Sequence, residues 1–183
     1  AMPQMGDDRF AEAVIFIIDH NDQGAMGLMI NRTYEDMRFG DILEDLSLGE
    51  PEEMIRLSTD VAQREVVSGG PVERARGFVL HSPDYFVDGS SVLVDEKMCL
   101  TANLDILRAI AFTDKGPERS LFALGYCGWG AGQLEAEIAA NSWLTAPSGD
   151  DLVFSVPFDE RYDAALSKLG IGRATLSSEA GHA

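Results

Sequence analysis

Short apolar runs alternate with polar, glycine-punctuated stretches along this chain, and their spacing predicts most of its elements. Residues 13–18 (AVIFII) form an apolar run rich in β-formers, which predicts a buried strand. Turn residues crowd 19–24 (DHNDQG) and 25–30 (AMGLMI) is apolar again, a pattern that predicts a β-hairpin. Phe39, Ile42, Leu43 and Leu46 fall at i, i+3, i+4 and i+7, one stripe of a short helix that Gly49 and Pro51 stop. Residues 50–65 are polar and read as an irregular surface excursion. Val66-Val67 then leads into a turn at Ser68-Gly69-Gly70-Pro71. Strands are expected at 77–81 (GFVLH), 91–94 and 98–100. Thr101 reads as the N-cap of a helix over 102–111, with Leu104, Leu107 and Ala111 facing inward.

The pattern continues with a strand at 121–127 that runs into a glycine-rich turn, Gly128-Trp129-Gly130-Ala131-Gly132, and a helix from Gln133 to about Ala140. A late strand is expected at 151–154, then a helix capped by Asp159 with Tyr162, Leu166 and Leu169 inside. Gly170 occupies the position of a helix C′ glycine, and 173–183 is a polar tail. Hairpins interleaved with helices predict an α+β chain, a mixed sheet with helices packed on it, in a single domain over 1–183.

Length and composition agree with that picture. The chain has 183 residues, 45% hydrophobic and 25% charged, which is ordinary for one globular domain. Charge is the unusual property: 14 Lys and Arg against 31 Asp and Glu give −17 at neutral pH. Such a surface repels phosphate backbones and anionic membranes, because affinity for both rests on Lys and Arg. Direct nucleic-acid binding is therefore disfavoured, no membrane partner is expected, and a protein partner, with basic surfaces suited to this charge, is expected. Cys99 and Cys127 lack zinc-type spacing and read as reduced, buried thiols. No apolar run is long enough to span a bilayer, and residues 1–8 lack a signal peptide's basic and apolar regions, so a cytoplasmic location is expected.

Candidate chemistry gathers at two glycine-rich places. In Gly125-Tyr126-Cys127-Gly128-Trp129-Gly130-Ala131-Gly132-Gln133, a strand, a glycine turn and a helix suggest a nucleotide-binding loop. However, Gln133 stands where GxGxxG needs glycine, and Glu135 and Glu137 would repel a phosphate at that helix start. The alternative is a packing turn for Trp129. Ser68-Gly69-Gly70-Pro71 is not a GxSxG elbow, and His20, His81 and His182 show no metal-ligand spacing, so no catalytic residue, metal or cofactor is assigned. Cys127, beside the glycine-rich turn, is a weak candidate for a redox thiol.

Several segments in register resemble the YqgE/AlgH family of bacterial proteins. They are Met2-Pro3 with Asp7, then His20-Asn21, Gly24-Ala25-Met26-Gly27-Leu28 and Asn31-Arg32. Gly69-Gly70-Pro71-Val72 and Gly77-Phe78-Val79-Leu80-His81 follow. Gly125-Tyr126, Gly128-Trp129-Gly130 and Gly132-Gln133-Leu134-Glu135 come next, with Glu137-Ile138, Asn141, Trp143, Leu176-Ser177 and Gly181-His182-Ala183 after them. The resemblance implies an α/β sandwich without an assigned biochemical activity, one branch of the family being linked to transcription regulation. It also implies a shallow cleft framed by the GGPV, LH and GWGxGQ motifs, which here are Asn31, Gly69, Gly70, Pro71, His81, Gly128, Trp129, Gly130, Gln133 and Glu135. The family usually has an apolar strand upstream of Ala1 and a small residue where Cys127 stands. A sheet edge left unpaired by the missing strand would favour a homo-oligomer. The function expected is a binding or regulatory protein acting through protein contacts, and the alternative is a small-molecule-binding protein or enzyme using the cleft.

Overall fold

The computed structural model describes residues 1–2, 5–173 and 176. Its strands are β1 (Ile15–Asn21), β2 (Gly24–Met29), β3 (Thr33–Arg38), β4 (Glu65–Ser68), β5 (Val72–His81), β6 (Ser91–Asp95), β7 (Met98–Thr101) and β8 (Ser120–Gly130). Its helices are α1 (Phe39–Asp45), α2 (Pro51–Arg56), α3 (Thr59–Ala62), α4 (Leu104–Phe112), α5 (Gln133–Ala139), α6 (Asp150–Phe154) and α7 (Arg161–Lys168). Helices and mostly antiparallel strands are thus both present, and the fold is α+β. The residues fall into two compact units, one of Ala1–Arg32 with Cys127–Ala183 and one of Thr33–Tyr126.

In the first unit the expected hairpin forms, with a tighter turn than 19–24 suggested. Strand pairing persists to Asn21↔Gly24, which leaves Asp22-Gln23 as a two-residue loop. The Asn21 side chain accepts from the Gln23 N–H at 2.8 Å and closes that loop. β2 then pairs antiparallel with the end of β8, Ala25 opposite Trp129 and Gly27 opposite Cys127. Gly24 is required where β2 meets β8: a Cβ there would lie 2.2 Å from the Trp129 carbonyl oxygen. Ala25, Met29, Cys127, Trp129, Leu134 and Trp143 build the core of this unit.

Two expectations in this unit are corrected. The Gly128-Trp129-Gly130 stretch is not a turn but the end of β8, where burial alternates with period two through Cys127 (in), Gly128 (out), Trp129 (in) and Gly130 (out). The turn itself is Ala131-Gly132. Residues 151–154 form α6 rather than a strand, because Leu152 and Val153 are too short an apolar run to carry a period and Asp150 and Asp151 suit a helical first turn. α7 ends as expected, with the Gly170 N–H donating to Ser167 O at 3.0 Å and the Ile171 N–H to Leu166 O at 3.2 Å.

In the second unit the strands run β3-β4-β8-β5-β7-β6, and only the β4–β8 pair is parallel. β3 had no signal in the sequence pattern. Phe39, Leu43, Val66, Ile106, Leu107 and Phe122 are central to the core, and the Phe39 and Phe122 rings meet edge to face at 5.7 Å. The stretch 50–65 is exposed for the most part but not irregular. A capping box between Glu50 and Glu53 starts α2, Pro51 sits in its first turn, and the Ser58 hydroxyl caps α3. Met54, Leu57 and Val61 from this stretch pack against the core. α4 also departs from expectation. Asn103 is its N-cap, accepting from the Ile106 N–H at 3.2 Å, while Thr101 belongs to β7. The helix is therefore rotated in phase: Ile106, Leu107 and Ala109 are buried and Leu104 is half-exposed.

Candidate functional site

The candidate residues divide between the two units, and each group is held by different bonds. In the first unit, β8 delivers Trp129 inward and α5 sets Gln133 and Glu137 one turn apart on one helix face. The Glu137 carboxylate is the centre of the arrangement. Its Oε2 accepts from the Trp129 indole N–H at 2.9 Å and from the Trp143 indole N–H at 2.7 Å. Its Oε1 accepts from the Gln133 amide at 2.9 Å, and Gln133 Oε1 in turn accepts from the Gly130 N–H at 3.0 Å. The two indoles stand edge to face at 5.9 Å, and Phe10 stands the same way against Trp143 at 5.7 Å. Partial burial pushes the Glu137 carboxyl up, but the donors from Trp143, Gln133 and Trp129 outweigh it and hold the group below its ordinary value. Among the described residues, the donors that hold the carboxylate are all neutral.

Glu135 lies outside that network. It meets His20 of β1 at 2.6 Å on an exposed surface. Its carboxyl is lowered first by its own backbone N–H at the helix start and then by His20. Asn31 is likewise separate: its Oδ1 accepts from the Val14 N–H at 2.8 Å and its Nδ2 donates to Glu12 O at 3.0 Å, so the side chain braces the chain entering β1. Cys127 is buried, and desolvation pushes its thiol up to about 12 against a backbone hydrogen bond with Met29 that pulls the other way. Burial of this kind opposes formation of the thiolate that redox chemistry would need.

In the second unit, Gly69 and Gly70 are buried against β8. The Gly69 N–H donates to Leu124 O at 2.9 Å. Gly125 faces them with φ 73, and a Cβ on it would lie 2.5 Å from the Gly70 carbonyl oxygen. Pro71 follows, half-buried, at the start of β5. Gly125 therefore serves the close approach of β8 to the Gly69-Gly70 backbone.

His81 is fully buried rather than cleft-lining. Its Nδ1 lies 2.9 Å from Ser82 O, an acceptor only, so Nδ1 carries the proton. Its Nε2 then accepts from the Thr101 hydroxyl at 2.9 Å, Thr101 Oγ1 accepts from the Ser91 hydroxyl at 2.8 Å, and Ser91 Oγ accepts from the Val87 N–H at 3.0 Å. Every hydrogen in this chain has one direction when His81 is neutral. Desolvation lowers the His81 pKa, and only partly do the Ser82 carbonyl and the Asp84 charge oppose it. Ser91, Thr101 and the clamping roles of Glu137 and Trp143 were not anticipated. The i, i+4 spacing of Gln133 and Glu137 was the one local signal.

His182 lies outside the described residues. Among the described residues, no three His, Cys, Asp or Glu side chains group as a metal site, and no helix is long and apolar enough to cross a membrane.

Comparison with known proteins adds a lineage to this geometry. A family model described as AlgH-like matches residues 1–174. UPF0301 proteins from Chelativorans sp. (strain BNC1) and Mesorhizobium japonicum are 54% and 52% identical over the whole chain, which covers 89% of each relative. The solution structure of the AlgH protein from Pseudomonas aeruginosa is 41% identical with a TM-score of 0.78, covering 100% of this chain and 92% of that one. Protein DIP2367 from Corynebacterium diphtheriae shares the fold at 19% identity and a TM-score of 0.66, over 91% of this chain and 82% of that one. A match that starts at the first residue and takes in both the Trp129–Glu137 clamp and the His81 relay makes the conclusion direct: the chain belongs to the AlgH-like family.

Proposed function

We propose that this protein is a binding or regulatory protein that works through contacts with other proteins. The observation that carries the reading is an apolar pair on an acidic chain. Val92 and Leu93 are adjacent, each 59% exposed, on a protein of net charge −17. A short strand that exposes apolar side chains on both of its faces offers apolar surface that another chain can cover. The internal bonding of Glu137, Gln133, Asn31 and His81 supports the same reading, because these groups are engaged in shaping the protein. A link to transcription regulation would run through a protein partner, since the charge opposes contact with DNA.

The test is size-exclusion of the natively expressed protein from cell extract at low and high salt, with native mass spectrometry of the purified chain. A discrete heteromeric peak that shifts to the free size as salt rises is expected, with a bare protein mass after purification. Elution at the free size under both conditions overturns the proposal. A reproducible small extra mass on the purified chain would favour the small-molecule reading in its place.

A further inference from the structure

β6 stands at the edge of the second unit's sheet, and among the described residues no strand pairs with its outer side. Its inner side pairs with β7, Ser91 opposite Thr101, Val92 opposite Leu100 and Leu93 opposite Cys99. Successive residues point to opposite faces, so Val92 and Leu93 leave both faces of the strand apolar and exposed. Natural edges are blunted by lysine or proline within the strand or by bulges. Here the sequence Ser91-Val92-Leu93-Val94-Asp95 contains neither residue, and the register shift comes only between Leu93 and Asp95. The Ser91 N–H is taken by Val87 O at 2.8 Å, so the stretch of β6 left open to pairing is Val92-Leu93.

The charges around it select the occupant. Asp88 precedes the strand, Asp95 closes it, and Glu96 and Lys97 follow, which leaves this edge with a net negative charge. A second copy would bring the same acidic edge, on a chain of net charge −17, against this one whether it paired antiparallel or parallel. Both arrangements oppose self-association. We infer that β6 docks an extended segment of a different protein, one that alternates apolar and basic residues and adds a strand to this edge. The inference rests on the protein-contact function proposed above.

The experiment titrates the full chain with a synthetic peptide alternating valine and lysine, and with a control alternating valine and glutamate, by calorimetry. Two variants accompany it. Val92→Thr with Leu93→Thr keeps strand-forming residues while removing the apolar contact, and Asp88→Asn with Glu96→Gln removes charge. The expected result is binding of the lysine peptide alone, weakened about tenfold or more in each variant with the melting temperature retained. Equal binding of the glutamate peptide, or undiminished binding to the threonine variant, overturns the inference. Repeating the extract chromatography with the threonine variant separates the two ideas. A heteromeric peak that survives the variant leaves protein contact standing and removes β6 as its place, whereas no peak for the unaltered chain removes both.

Discussion

Replacing Glu137 by alanine tests the clamp most directly. The substitution removes the acceptor of both indole N–H groups and of the Gln133 amide at once. A hydrogen bond to a charged group contributes about 1.5–3 kcal/mol. The two indole bonds are partly buried, so water can reach the freed donors and the lower figure applies to each; the exposed Gln133 bond adds little. The expected loss is therefore about 3 kcal/mol, or about 6–12 °C in melting temperature for a chain of this size. Glu137→Gln keeps an acceptor but not the charge and should lose about 1 kcal/mol. Urea unfolding followed by tryptophan fluorescence measures both, and near-ultraviolet circular dichroism reports whether the edge-to-face indole pair persists. The pH dependence has a definite sign. A carboxyl held below its ordinary 4.5 contributes stability that is full above that value and lost as pH falls through the folded-state pKa. Glu137→Gln should remove this part of the acid sensitivity. An alanine variant within about 0.5 kcal/mol of the parent chain, with its circular dichroism unchanged, would refute the clamp as a source of stability.

Four other outcomes follow from the same structure. Thr101→Val interrupts the His81 relay, leaving Nε2 without its donor and the Ser91 hydroxyl without its acceptor, and should cost about 1–3 kcal/mol by urea unfolding. Because the His81 pKa is lowered, the folded state should lose stability as pH falls below 6.5, and a His81→Gln variant should show a flatter profile over that range. Leu107→Ala should cost about 2–5 kcal/mol and Leu104→Ala less than about 1 kcal/mol, and a cost at Leu104 as large as that at Leu107 would restore the helix phase expected from the sequence pattern. Cys99 and Cys127 should resist a thiol reagent at pH 8 in the native state and react promptly in denaturant, since burial raises both thiols; fast native labelling would contradict this.

Where a signal was local, it was legible in the residues. The hairpin of β1 and β2, the apolar stripe of α1, the strand into α5 and the Gly170 cap all depend on contacts within a few positions, and those contacts leave a periodicity or a turn residue behind. Short runs misled for the same reason. Leu152-Val153-Phe154 fits a strand or a helix equally well, and Gly128-Trp129-Gly130 looks like a turn until β2 lies alongside it. Thr101 and Asn103 are both good caps, and the choice between them fell to the pairing of β7 with β5, which drew Thr101 into the sheet opposite Val79.

The sequence by itself determined the α+β class, the family resemblance and the acidic surface, since composition and ordered motifs do not depend on packing. Only the tertiary structure decided what the motif residues do. Glu137 meets Trp129 because a helix folds back over the strand before it, and His81 meets Thr101 and Ser91 because three strands lie side by side. Spacing along the chain carries no trace of a bond made across elements. For the same reason, a strand such as β6 is known to be an edge only once its neighbours have been placed.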